Sequence, residues 1–174
     1  MKVKRRELRA GLAGTLDTVD EMKRLVLLGM EDEGVRALAA RLKKESRTDV
    51  EYYERCHTYV ATHIRYKKDK YNGESHEVVT NARHTLVGAR PFGDCDDMTI
   101  ALCTLLKLNR IPCRIKIVAW KKEMKDQYTH VYCMAYMRSL KAWVPADPVR
   151  DATIGKSGFG WEIAPVFKRK EFDV

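Results

Sequence analysis

The chain has 174 residues, 45% of them apolar and 33% charged, which is enough to enclose one substantial core, too apolar for disorder and too charged for a membrane protein. Lysine and arginine number 33 against 24 acidic residues, a formal net charge of +9 gathered at Lys2 to Arg9, Arg65 to Lys70, Lys121 to Lys125 and Lys168 to Lys170. These clusters carry no interleaved aromatics and no nucleic-acid-binding motif, so a solvated surface is expected and nucleic acid is not the expected partner.

After the basic leader, Thr18-x-x-Glu21 has the form of a capping box and predicts a helix through Met22, Leu25 and Val26 that ends at Gly29. The run Leu25 to Leu28 is too short for a signal peptide or a membrane span, so no export signal and no membrane partner are expected. A second helix is predicted from Glu31 or Asp32 to Lys44, with acids at its start and bases at its end as the helix dipole prefers. Thr48 and Glu51 form another capping box, opening a third helix with the stripe Tyr52, Cys56, Tyr59, Val60, His63 and Ile64. Cys56 and His57 are adjacent and diverge by about 100° on a helix, so they cannot act as a nucleophile and its base.

From Arg65 to Arg90 the chain is polar, with a turn signal at Asn72-Gly73 and a short helix predicted from Ser75 or His76 to Leu86. His76 and His84 have no second ligand at metal spacing and read as surface residues. Gly93-Asp94-Cys95-Asp96-Asp97 then leads into apolar residues at helical spacing (Met98, Ala101, Leu102, Leu105, Leu108) that Asn109 and Pro112 bring to an end. A helix beginning at Cys95 is predicted. Its unpaired N–H groups and positive dipole end stabilise a thiolate, which is a nucleophile. The three neighbouring carboxylates oppose that charge, and an imidazolium partner has to outweigh them. Asp94, Asp96 and Asp97 lack the alternating spacing of a calcium loop, and capping with dipole complementarity accounts for them, so no metal is expected there.

Past Pro112 the period changes from 3.6 to 2. Ile111 to Trp120, Tyr128 to Arg138 and Ala142 to Asp147 read as an antiparallel meander, with Cys113, Ile115 and Ile117 on one face of the first strand and Arg114, Lys116 and Val118 on the other. On the second strand His130, Tyr132 and Met134 share a face, opposite Val131, Cys133 and Ala135. His130 supplies a general base for Cys95, and Asp147 a carboxylate to orient that base. The five cysteines are odd in number and form no C-x-x-C pair, which argues against a disulfide framework or a structural zinc, and reduced thiols in a cytoplasm fit them. Cys103, Cys113 and Cys133 read as small core residues. Beyond Pro148, Gly155, Gly158 and Gly160 lack the pattern of a phosphate-binding loop, and a flap or terminal strand beside the site is expected.

Three motifs, G-D-C-D-D, T-H-V-Y and W-x-P-x-D, stand here at Gly93, Thr129 and Trp143. Together they resemble the transglutaminase-like superfamily, and most closely its small members from bacteria and tailed phages, over about Leu16 to Pro148. The resemblance implies an α+β, papain-like cysteine-enzyme fold in which N-terminal helices and a nucleophile helix pack on an antiparallel sheet. It also implies a Cys95–His130–Asp147 triad. Ile64-Arg65-Tyr66-Lys67-Lys68-Asp69 is similar to a segment that precedes the nucleophile helix in those proteins, which implies that Tyr66 lines the substrate groove. One domain spanning 1–174 is expected: a basic leader (1–15), a helical part (16–66), a catalytic core (90–148) and a C-terminal extension (149–174).

The expected activity is hydrolysis of a peptide, amide or isopeptide bond in a wall peptide or a phage or host protein, with no cofactor, in a host cytoplasm or a virion. Transfer to an amine, which would make a cross-linking enzyme, and a virion or binding component that keeps the fold without catalysis are the alternatives. An arylamine N-acetyltransferase shares the order of the triad, but the R-G-G-x-C signature of that family is absent.

Overall fold

The central element is α5 (Cys95–Leu108), in which every residue from Asp96 to Leu106 is buried. A helix apolar on all sides has to be enclosed by others, and four earlier helices and a sheet enclose this one. A computed structural model describes residues 11–67, 79–89, 91–119, 128–149 and 168–174. Within them α1 (Gly11–Gly29), α2 (Glu33–Lys44), α3 (Asp49–His63) and α4 (Ala82–Val87) pack against one side of α5. On the other side lie β3 (Cys113–Ala119), β4 (His130–Met137) and β5 (Ala142–Ala146), the expected meander. With β6 (Lys168–Asp173) they form an antiparallel sheet in the order β5-β4-β3-β6. The terminal strand therefore borders β3, two strands away from β4, and the glycine-bearing stretch expected as a flap or terminal strand beside the site, Gly155 to Gly160, lies outside the described residues.

Local chemistry explains the helix boundaries. Asp32 caps α2 by accepting from Val35 N–H, and Thr48 caps α3 by accepting from Glu51 N–H. Thr18 does not act as a cap: α1 starts at least seven residues earlier, and the Thr18 hydroxyl donates to the Gly14 carbonyl inside the helix. Nor does α4 begin at Ser75 or His76. It starts after Asn81, whose side chain accepts from Arg83 and His84 N–H, and 75–78 lie outside the described residues along with the Asn72-Gly73 turn signal. The buried face of α3 is broader than the predicted stripe, taking in Tyr53 and His57 while His63 stays exposed. Gly29 ends α1 where a Cβ would stand 2.9 Å from that of Ala82 and 3.1 Å from the Thr104 methyl, so its lack of a side chain sets how closely α1 meets α4 and α5.

The sheet is buried on both faces. Cys113, Ile115, Ile117, Val131, Cys133 and Ala135 face the main core, while Val118, Tyr132 and Met134 form a second buried cluster with Trp143 against it. Lys116 on that second face is 3% exposed, pairs with Glu171 and sets its ammonium over the Tyr132 ring. Arg114 and Lys116 share this face with Val118. The aliphatic stem of Lys116 and the stacking of Arg114 on Trp143 allow charged side chains to cover apolar surface.

Three of the last four carbonyls of α5 have named partners. Ile111 N–H donates to the Leu106 carbonyl and Arg110 N–H to that of Lys107, while the Tyr52 hydroxyl donates to the Leu105 carbonyl at 2.7 Å. The first two bonds make a Schellman motif that places Arg110 in the left-handed region, at φ 58°. A side chain there costs about 1 kcal/mol, so Arg110→Gly is expected to raise the urea midpoint by an amount worth about 0.5–1 kcal/mol. A lower midpoint would mean that the left-handed turn is not the strained point.

Candidate active site

Cys95 is the first residue of α5 and is partly exposed, whereas Cys56, Cys103, Cys113 and Cys133 are all buried. Two contacts fix where it stands relative to the sheet. The Thr99 hydroxyl, one turn further along α5, lies 2.6 Å from the Cys95 carbonyl oxygen and 3.3 Å from that of Val131 on β4. One turn further again, the Cys103 thiol meets that of Cys133. The helix thus runs along β4 in the same direction. Four residues back from Thr99 is about 6 Å of helix, or about two residues of strand, so Cys95 lies level with the start of β4 at the rim of the sheet.

His130, the first residue of β4, is at that rim. Strand alternation groups it with Tyr132, whose ring centroid is 5.9 Å away, on the face opposite α5. Thr129 N–H still donates to the Val118 carbonyl at 2.9 Å, so pairing with β3 runs one residue beyond His130 before the chain leaves the sheet. The His130 Nε2–H donates to Asp147 Oδ2 at 2.7 Å, and the two side chains are 9% and 17% exposed. That bond sets the tautomer and leaves Nδ1 as the nitrogen that can take a proton. Asp147 follows β5 directly. Val149 N–H donates to its Oδ1 at 3.1 Å, and the Tyr53 hydroxyl holds the Pro145 carbonyl two residues before it at 2.7 Å. The base and its orienting carboxylate named from the sequence are therefore joined in space, on neighbouring strands.

A second, two-stranded sheet brings Tyr66 to the same region. In it β1 (Arg65–Tyr66) runs parallel to β2 (Phe92–Gly93), with Tyr66 opposite Gly93, two residues before Cys95. Tyr66 is 43% exposed, yet burial of its hydroxyl raises its pKa to about 12, with nearby Cys95, Asp94, Asp96 and Asp147 adding to the effect. Tyr66 thus faces both ends of the proposed triad and stays protonated. Phe92, also exposed, sits under the Lys67 ammonium, 4.6 Å from the ring centroid, and edge-on to His84, which is on the surface as expected. The sequence marked this stretch as a polar loop, since a two-residue ladder has no periodicity to detect.

The acidic run ahead of the helix is built differently from the expected cap. Asp94 occupies the N-cap position but its side chain makes no capping bond, and one of its oxygens is buried without a hydrogen-bond partner among the described residues. Asp97 does the work instead, reaching back to the Asp94 backbone N–H and accepting from Thr80 N–H at 2.6 Å. Asp96 accepts from Asp97 N–H at 2.9 Å. Carboxylate oxygens of the three residues lie within 4.8 Å of one another, close enough in principle to share a cation. Burial raises the Asp97 carboxyl to about 7, against its hydrogen bond from Thr80 and with help from the charge on Asp94. Asp97 thus holds its proton more readily than an ordinary carboxyl, which lessens the negative charge beside Cys95.

The family model described as the transglutaminase-like superfamily matches residues 36–148. Among solved structures, the chain is similar to that of a candidate protease from Parabacteroides distasonis, at 12% identity and a TM-score of 0.57 over 75% of this chain and 26% of that one. It is also similar to a candidate cysteine protease from Cytophaga hutchinsonii, at 18% identity, a TM-score of 0.46, and coverage of 82% and 50%. The Rad4–Rad23 complex bound to a 6-4 photoproduct gives 13% identity, a TM-score of 0.47, and coverage of 78% and 38%. The chain spans between about a quarter and a half of the length of these structures. No match was found among curated proteins. Among the described residues no helix is long and apolar enough to cross a membrane.

Two substitutions test the acidic turn. A Cβ on Gly93 would stand 2.5 Å from that of Asp97 and 2.7 Å from its Oδ2, so Gly93→Ala should displace the start of α5 and cost about 1–3 kcal/mol in urea unfolding. A carboxyl raised from 3.8 to about 7 in the fold favours the folded state at low pH, and that advantage is lost as the pH rises from about 4 to 7. Asp97→Asn should therefore gain stability relative to the parent between pH 4.5 and pH 7.5, and an unchanged difference across that window would show that Asp97 is not shifted.

Proposed function

The chain belongs to the transglutaminase-like superfamily, and on that premise we propose that it is a cysteine-dependent acyl-transfer enzyme that hydrolyses a peptide, amide or isopeptide bond. The observation that carries the reading is the His130–Asp147 bond of 2.7 Å at the sheet rim level with Cys95. In this mechanism His130 Nδ1 takes the Cys95 proton and the thiolate attacks the carbonyl carbon, forming a C–S bond while the carbonyl electrons move to oxygen. When the tetrahedral adduct collapses, the C–N bond breaks, and the His130 imidazolium protonates the departing amine. Water, deprotonated by His130, then attacks the thioester, releasing the acid and restoring the thiol. Asp147 holds the tautomer and stabilises the imidazolium throughout.

The developing oxyanion needs donors. The Cys95 backbone N–H at the helix start supplies one in this mechanism, and the Tyr66 hydroxyl, kept protonated up to about pH 12, is suited to be the other. Tyr66 and Phe92, both exposed beside the helix start, give a peptide or protein substrate an apolar wall to lie against.

Activity on a panel of peptide, amide and isopeptide substrates, with and without an added primary amine, tests the reading. Cys95→Ser and His130→Ala should each abolish nearly all turnover, and the double variant should lose little more, because residues that act as a unit are not additive. Asp147→Asn should retain more activity than either, and Tyr66→Phe should lose about 10²-fold in kcat if its hydroxyl meets the oxyanion. Full activity in Cys95→Ser would remove the nucleophile, and products carrying the added amine would assign cross-linking in place of hydrolysis.

A further inference from the structure

Three cysteines that the acyl-transfer mechanism does not use meet inside the core. Cys103 comes from the middle of α5, Cys113 from the start of β3 and Cys133 from β4, and all three are at most 3% exposed. Their sulfur atoms lie within 4.8 Å of one another. Each of these cysteines alone would pass as a small core residue, but here three thiols from three separate elements converge on one point. A disulfide between Cys113 and Cys133 is disfavoured by the strand register. Cys113 pairs with Ala135 and Cys133 with Ile115, so the two cysteines are diagonal neighbours, about 7–8 Å apart at Cα, beyond the usual disulfide range.

We propose that Cys103, Cys113 and Cys133 form a three-thiolate site for a divalent thiophilic metal ion, of which zinc is the representative. With metal–sulfur bonds of about 2.3 Å, three sulfurs around one ion end up about 3.8–4.0 Å apart, so the observed cluster has to contract by less than about 1 Å. Charge selects the valence. Three thiolates and a divalent ion leave one net negative charge, and the Lys107 ammonium, held by the Val174 carbonyl oxygen, lies close enough to act on both Cys103 and Cys113. A monovalent ion would leave two negative charges in a dry core, of which Lys107 offsets one. Binding releases one proton from each thiol, and because the site is enclosed the ion enters as the chain folds. The ion would tie α5 to β3 and β4 just behind the catalytic rim. This site is independent of the role assigned to Cys95.

The test is metal content of the full chain expressed with zinc supplementation under reducing conditions, with Cys95→Ser used throughout so that the exposed thiol cannot contribute. About one zinc per chain should survive gel filtration, and its X-ray absorption should show a shell of three or more sulfurs at about 2.3 Å. Cys103→Ala and Cys133→Ala should each lower the zinc content at least tenfold, and a chelator should lower the thermal midpoint of Cys95→Ser but not of those variants. If the variants do not fold, the sulfur shell of Cys95→Ser decides alone. Less than a tenth of a zinc per chain, or a shell dominated by nitrogen or oxygen, would overturn the proposal.

Discussion

A helix buried on every face still has to satisfy the backbone groups at its two ends, and that requirement organises most of this molecule around α5. At the C-terminal end a Schellman turn and the Tyr52 hydroxyl take up the Leu105, Leu106 and Lys107 carbonyls, and the chain turns directly into β3. At the N-terminal end the solution is left partly open, since Asp97 reaches back to one N–H group while Cys95 remains accessible. The same helix can therefore be a core element along its length and a reactive terminus at its tip.

The strands serve that tip by placement more than by pairing. Thr99 bridges from the first turn of α5 to the Val131 carbonyl, beside His130, so the register between helix and sheet is set within one residue of the proposed base. Tyr53 on α3 holds the Pro145 carbonyl, and the Asp49 carboxylate accepts from Ser139 in the turn between β4 and β5. The hairpin that carries both His130 and Asp147 is thus pinned at its turn and close to its open end by a helix remote from the chemistry.

Much of this was legible in the residues. The start of α5 at Cys95, the cap at Thr48, the start of α2 near Asp32 and the meander from Cys113 to Ala146 all rest on strong local signals: a cap residue before an apolar run, acids at a helix start, or a clean change of period. What escaped notice was set by tertiary context. Thr18 has the form of a cap but lies inside a longer helix, where its hydroxyl returns to Gly14, because continued packing of α1 on α5 outweighs a local stop. The partner of Lys116, Glu171, is supplied by a strand far along the sequence. The meeting of Cys103, Cys113 and Cys133 has no spacing signature, since it depends on how a helix lies across two strands.

The order β5-β4-β3-β6 also bears on how the chain comes to be made. The edge of β3 that β6 covers is formed long before residues 168–173 leave the ribosome, so a nascent chain carries an open strand beside a completed helical half. An unpaired edge of this kind recruits other chains. The strand that finally covers it is charged at five of its six positions, Lys168, Arg169, Lys170, Glu171 and Asp173, and charged side chains on such a strand discourage a second copy from adding on. The last ladder of the sheet thereby acts as a guard against self-association as well as a piece of the fold.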